Sequence, residues 1–172
     1  MVFALVDLEF FKQVNDTHGH AAGDQILKQI SELLVRMVRE GDYVVRWGGE
    51  EFLIVFRPMP KEQPSRIAER IRAAVEQTPF SVNDSESLDV TCSLGFSEYP
   101  ASIQHPGELG WEEIVELADQ ALYYVKENGR NGWCIVRPDD NIRPTTLRKK
   151  MKGGVQGLLA SGYISMVSSV AR

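Results

Sequence analysis

Apolar positions recur with two different periods along the 172 residues, and the switches between those periods mark the elements. Val2 to Val6 is a continuously apolar run ending in Asp7, the pattern of a strand buried on both faces. After a polar connection, residues 24–38 place Ile26, Leu27, Ile30, Leu33, Leu34, Met37 and Val38 at helical spacing, which predicts a helix. Tyr43 to Trp47 and Phe52 to Phe56 read as strands joined by Gly48-Gly49-Glu50-Glu51, a hairpin. Pro58, Pro60 and Pro64 punctuate the exit. Ile67, Ala68, Ile71, Ala74 and Val75 then form a second helical stripe that ends near Pro79. Phe80 to Val82 and Val90 to Phe96 flank a polar Asn-Asp-Ser-Glu-Ser loop and are expected to pair. Trp111 to Asn128 predicts a third helix, with Ile114, Leu117, Ala118, Ala121, Leu122 and Val125 on one face and a stop at Asn128-Gly129. Trp133 to Val136 is the last short strand. This order implies an α+β domain over residues 1–137, with helices packed on a mainly antiparallel sheet.

From Arg137 the composition changes. The tail, residues 138–172, carries a basic cluster (Arg148, Lys149, Lys150, Lys152), then Gly153-Gly154, then an apolar stretch from Val155 to Ala171 diluted by Gln156 and four serines. That stretch is too interrupted for a membrane span, so membrane contact is not expected. An amphipathic surface segment, a docking helix and a poorly ordered terminus are the open readings, the last being the plainest.

Charge follows the same division. Residues 1–136 hold 12 Lys and Arg against 22 Asp and Glu, whereas residues 137–172 hold 7 against 2. An acidic body argues against binding a nucleic-acid polymer, which needs a broad cationic face. It leaves room for a single nucleotide held through a metal ion and a few placed cations. Cys92 and Cys134 are too few for a disulfide framework and lack metal-ligand spacing, which fits a reducing compartment. With no basic region before the first apolar run, no signal peptide is read, and a cytoplasmic location is expected.

Three groups of residues could carry chemistry. Asp7 ends a buried strand while Glu50 and Glu51 lie in the hairpin turn; if the two are neighbours, Asp7 and Glu50 meet at one sheet edge. Two carboxylates there can hold Mg²⁺ with positions left for phosphate oxygens. The alternative is an ordinary Gly-Gly hairpin with exposed acids. Asn15, Asp16, His18, His20 and Asp24 crowd the first connection. A carboxylate and an amide there can read a guanine edge, whereas Asp24 at a helix start is equally a cap, and the histidines lack a third zinc ligand. Lys126 and Arg130 lie four apart at the end of the third helix, suited either to phosphates or to a solvated helix end.

Taken together, Asp7-Leu-Glu-Phe-Phe-Lys-Gln-Val-Asn-Asp-Thr-His-Gly-His20, Gly23-Asp24, Gly48-Gly-Glu-Glu-Phe52 and Lys126-Glu-Asn-Gly-Arg-Asn131 resemble the GGDEF family of diguanylate cyclases. The resemblance spans residues 2 to 136 and rests on four motifs in the family's order. It implies a palm-like fold shared with nucleotide cyclases and polymerases. It also implies that two GTP molecules, held by two facing domains of a homodimer, condense to cyclic di-GMP with release of pyrophosphate. Asp7 and Glu50 are then the expected ligands of Mg²⁺ (or Mn²⁺), assisted by the Leu8 carbonyl. Glu51 is the neighbouring acid, expected to assist 3′-hydroxyl activation or the metal site. Asn15 and Asp24 resemble the guanine readers, and Asp24 disfavours ATP. Lys126 and Arg130 would hold the triphosphate with main-chain N–H groups around Phe10, Phe11 and Lys12. Arg39-Glu-Gly-Asp42, with five residues between it and Gly48, resembles the family's inhibitory RxxD site for the product, to which Arg70 would add a guanidinium.

Two departures qualify the expectation. Position 9 is Glu where the family usually repeats Asp, a small change beside the site. The family's usual N-terminal Asp-x-Leu-Thr-x-Leu-x-Asn-Arg stretch is not in the chain, which reads as an N-terminally shortened domain without its upstream sensor. The rival to an enzyme is therefore a module that binds cyclic di-GMP or GTP and signals through a partner without turnover.

Overall fold

The computed structural model describes residues 1–83, 85–102 and 104–170. Asp84 of the polar loop and Ala171 at the end of the tail lie outside them. Among the described residues a six-stranded sheet has the order β2-β3-β1-β6-β7-β8. Its strands are β1 (Val2–Leu8), β2 (Tyr43–Gly48), β3 (Glu51–Phe56), β6 (Cys92–Glu98), β7 (Trp133–Pro138) and β8 (Ile164–Ser168). All neighbours run antiparallel except β6 and β7.

The central position of β1 explains its unbroken apolar run. Val2, Ala4, Val6 and Leu8 enter one core with α2 (His20–Met37) and α3 (Gln63–Glu76). Phe3 and Leu5 enter a second core with α4 (Trp111–Glu127). Side chains alternate across a strand, so a strand covered on both faces needs apolar residues at every position. In β6 the face toward α4 contains Gly95, where an added Cβ would stand 2.0 Å from the Ala118 carbonyl oxygen. That glycine lets the helix backbone lie directly on the sheet. The helix stripes and the hairpin lie where periodicity puts them.

The structure differs from the sequence reading in three places. First, the polar connection is itself helical: α1 (Phe11–His18) precedes α2, burying Phe11 and packing Val14 on the core. Two apolar side chains in eight residues are too few to show a helical period. Second, Phe80–Val82 does not pair with residues 90–96. It lies in β4 (Pro79–Asn83), which pairs with β5 (Glu86–Asp89) in a separate two-stranded sheet. The partner strand reads Glu-Ser-Leu-Asp, with only Leu88 packed on the core, so its sequence carries no strand signal.

Third, the described tail residues, 138–170, do not form a poorly ordered terminus. They form α5 (Pro144–Lys150), a 3-10 turn at Met151–Gly153, α6 (Gly154–Ala160) and the edge strand β8. Leu147, Met151, Val155, Leu158 and Ile164 are buried in the second core against α4. Their spacing crosses a turn and two short helices, and the intervening glycines hide the stripe from a single-period search. Among the described residues no helix is long and apolar enough to cross a membrane.

Candidate active site

The hairpin and β1 deliver the acids to one edge. Asp7 stands opposite Glu51 in the β1–β3 register, and Glu50 sits in the turn between β2 and β3. Gly49 takes a left-handed φ of 49° in that turn, and its carbonyl accepts a 3.0 Å hydrogen bond from Arg46 Nε. A left-handed turn residue next to a second glycine lets the hairpin reverse within two residues, and the charge on Glu50 is felt at Asp7 of β1. Asp7 and Glu9 are each only 7% exposed.

Their protonation reflects that crowding. Burial pushes the Asp7 carboxyl above its ordinary value; Lys126 opposes the shift and Glu50 adds to it. Burial also raises Glu51, reinforced by the charge on Asp7. Glu9 is raised by burial as well, with the hydrogen bond from Ser93 opposing. Buried like charges at one sheet edge are unfavourable until a cation joins them.

Two cations already lean on this edge. Lys126, in the last turn of α4, places Nζ 2.9 Å from Asp7 Oδ2. Arg130 places Nε 3.0 Å from Glu9 Oε2, and its guanidinium lies 5.7 Å from the centre of the Phe10 ring. Ser93 Oγ donates a short hydrogen bond to Glu9 Oε1 from β6, the strand on the other side of β1. Glu9 is thus more than a bystander: it is the partner of Arg130. The sequence reading set it aside, although its spacing of two from Asp7 was the available signal.

The remaining candidates surround this edge. Leu8 buries its side chain in the core, so only its main chain can face a ligand. Phe10, at φ 56°, starts α1, and no side chain caps that helix. The N–H groups at Phe11 and Lys12 therefore point out of the first turn, where helix geometry favours an anion. Asn15 lies against Gly23, whose missing Cβ would stand 2.0 Å from Asn15 Oδ1. That contact sets Asn15 beside the second turn of α2, which carries an exposed Asp24. Asp24 is the fifth residue of α2 and Gly19 holds the N-cap position, so the capping alternative for Asp24 is corrected. His18 contacts Glu86 at 3.6 Å, and among the described residues no cluster of three or more His, Cys, Asp or Glu is arranged to hold a metal.

A separate groove lies at the other end of the hairpin strands. Arg39, Asp42, Arg66 and Arg70 line a groove of about 410 Å³ with Met37 and Met59. Asp42 is 2% exposed at its side chain and accepts the Arg57 main-chain N–H at 2.8 Å and Arg39 Nε at 3.4 Å. Arg39 Nη2 also donates to the carbonyls of Arg57 and Pro58, each at 3.1 Å, and Arg70 Nη2 donates to the Met37 carbonyl at 2.7 Å. The RxxD pair and Arg70 therefore line one groove.

A strand-end carboxylate cluster faced by Lys126 of α4 and Arg130 of the loop after it, beside an uncapped helix start, has the makings of a nucleotide-handling site. The family model described as "Diguanylate cyclase, GGDEF domain" matches residues 1–132, and the chain belongs to that family. It is 39% identical over 127 residues to diguanylate cyclase DosC of Escherichia coli (strain K12), covering 74% of this chain and 26% of DosC. The chain spans about a third or less of the length of the curated relatives it matches. Among solved structures, diguanylate cyclase SiaD of Pseudomonas aeruginosa, in complex with its activator SiaC, superposes with a TM-score of 0.68 at 38% identity, covering 76% of this chain and 47% of that one. The GGDEF domain of DgcB from Caulobacter crescentus, in complex with c-di-GMP, superposes at 0.67 and 32% identity, covering 76% and 74%.

Proposed function

We propose that this chain is a diguanylate cyclase catalytic domain that joins two GTP molecules into cyclic di-GMP and releases pyrophosphate. The observation that carries the reading is the pairing of Asp7 with Glu51 across β1 and β3, Glu50 in the turn beside them, and Lys126 bound to Asp7. The donor set is all oxygen and carries excess negative charge, which suits Mg²⁺ or Mn²⁺ rather than a soft metal. Asp7, Glu50 and the Leu8 carbonyl would hold the ion, and substrate phosphates would complete its shell. The bound ion would lower the pKa of a 3′-hydroxyl and neutralise charge developing at the α-phosphate.

The chain's own residues do the rest. Lys126 and Arg130 exchange their carboxylate partners for the outer phosphates of GTP, a short movement for long side chains already at the edge. The N–H groups at Phe10, Phe11 and Lys12 receive the same phosphates from below. Asn15 and Asp24 read the guanine, with the Asp24 carboxylate accepting its N–H donors. Glu51, held above its ordinary pKa, stands ready to take or relay the hydroxyl proton. Each chain offers one such site, so two 3′-hydroxyls meet two α-phosphates only in a homodimer, and positioning across that dimer sets the rate. Product returning to the Arg39, Asp42 and Arg70 groove would hold the two domains in an unproductive arrangement.

That groove also supports a second reading, a cyclic di-GMP-binding module without turnover. The deciding experiment incubates nucleotide-free protein with GTP and Mg²⁺, resolves the products by chromatography, and titrates cyclic di-GMP by calorimetry in parallel. Cyclic di-GMP formed from GTP supports the cyclase. Absence of product alongside tight binding of cyclic di-GMP supports the module and overturns the cyclase.

A further inference from the structure

Residues 168–170 fold back onto Gly132 and Trp133, at the end of the loop that carries Arg130. After α4 the backbone turns through Gly129, Arg130 and Asn131 with φ of 122°, 59° and 42°. Two consecutive side-chain-bearing residues in the left-handed region are unfavourable, and such a conformation persists only where its surroundings hold it. Here the loop is held from two sides. From α3, Arg72 Nη1 donates to Asn131 Oδ1 at 3.1 Å, and Glu76 Oε1 accepts Asn131 Nδ2 at 2.7 Å. Glu69 Oε2 accepts the Trp133 indole N–H at 2.9 Å.

The other side is built by residues beyond the matched family segment. Ser169 Oγ accepts the Trp133 main-chain N–H at 2.8 Å, and the Ser169 main-chain N–H donates to the Trp133 carbonyl at 3.0 Å. Ser168 Oγ donates to the same carbonyl at 3.1 Å. Val170 closes over Gly132, where an added Cβ would stand 2.5 Å from Val170 Cγ1. Between these two supports the Arg130 N–H bonds the Val125 carbonyl at 3.0 Å, and the guanidinium comes down on Glu9 and Phe10.

We propose that Ser168 and Ser169 are positioning residues that act through Trp133 to hold Arg130 where it meets the phosphates of the bound nucleotide. The idea rests on the reading of Arg130 as a phosphate ligand. It makes the C-terminal segment, outside the matched family residues, part of the working site. Losing the Ser169 hydroxyl leaves the Trp133 N–H without its acceptor and frees the loop on one side, while the α3 contacts and the core stay in place.

The test measures binding of a non-cleavable α,β-methylene analogue of GTP, with Mg²⁺, to the full chain. The proteins compared are the wild type, Ser169→Ala, Ser169→Thr, Arg130→Ala and the double variant with Ser169→Ala and Arg130→Ala. Amide hydrogen exchange over residues 129–133 is followed in the same proteins. Ser169→Ala should weaken binding about two- to tenfold, the scale of one hydrogen bond. Ser169→Thr should restore it, and Ser169→Ala should add nothing once Arg130 is gone. Exchange over residues 129–133 should quicken in Ser169→Ala. Unchanged binding in Ser169→Ala, or equal weakening with and without Arg130, overturns the proposal. If the wild type itself binds no analogue, the nucleotide reading has failed, and exchange alone then decides the clamp. Unchanged exchange sinks it and faster exchange supports it. Ser168→Ala, which removes one bond accepted by the Trp133 carbonyl and the acceptor of the Val170 N–H, serves the same comparison should Ser169→Ala fold poorly.

Discussion

At the residue scale, the candidate site is a set of carboxylates of which two, Asp7 and Glu9, are already partnered by Lys126 and Arg130. Glu50 is the sharpest probe, since it projects from a turn rather than from the core. Glu50→Ala should reduce cyclic di-GMP synthesis by more than about a hundredfold, beyond the loss typical of an outer-shell partner. Its thermal midpoint should be unchanged, and wild-type turnover would remove Glu50 from the metal site. The RxxD pair separates in a similar way. Arg39 is half exposed, whereas Asp42 is buried and bonds the Arg57 N–H. Arg39→Ala should therefore weaken cyclic di-GMP binding in calorimetry with little effect on stability. Asp42→Ala should cost about 1–3 kcal/mol in denaturant melts as well, because it orphans a donor. The places of Asp7, Glu50, Lys126 and Arg130 at strand and helix ends could be read from the pattern, whereas the choice among their candidate roles came only with the family resemblance. The pairing of Glu9 with Ser93 could not be read, because these residues are 84 positions apart and meet only through the β1–β6 register.

At the element scale, α4 joins the site to the second core. It lies on β6 at Gly95, and its last turn carries Lys126. Gly95→Ala should lower stability by about 1–3 kcal/mol, the cost of overpacking, seen as an earlier urea midpoint; an unchanged midpoint would mean that the helix can lift away freely. The contact of α3 with the loop after α4 has its own pH signature. Hydrogen bonding from Arg72 holds Glu69 below its ordinary pKa, and hydrogen bonds from Asn131 and then Arg72 do the same for Glu76. A depressed carboxyl contributes stability above its unfolded pKa and loses it as pH falls through the folded value. Thermal melts should therefore decline below about pH 4.5, the usual range for Glu. Glu69→Gln should flatten that decline, and an unaltered slope would assign it elsewhere. Helices with a single clean stripe and strands buried on both faces could be read directly. The polar strand β5 and the tail could not, because one draws its stability from backbone pairing and the other from a stripe split over two short helices.

At the scale of the whole molecule, an acidic sheet domain is extended by a basic C-terminal segment that adds the sheet's edge strand and closes the second core. The α+β layout and the hairpin were visible in the sequence, whereas the approach of Asp7 to the hairpin acids hung on the pairing of β1 with β3. The separate β4–β5 sheet and the contribution of the tail were not visible there. The central claim is that one chain holds half of a reaction and two chains complete it. The most direct measurement is the initial rate of cyclic di-GMP formation from GTP and Mg²⁺ over a wide range of protein concentration, using protein cleared of bound nucleotide. A specific rate that climbs with protein concentration and then levels off as dimers saturate is the expected result. A specific rate independent of concentration for a chain shown to be monomeric, or no product at any concentration, would contradict it.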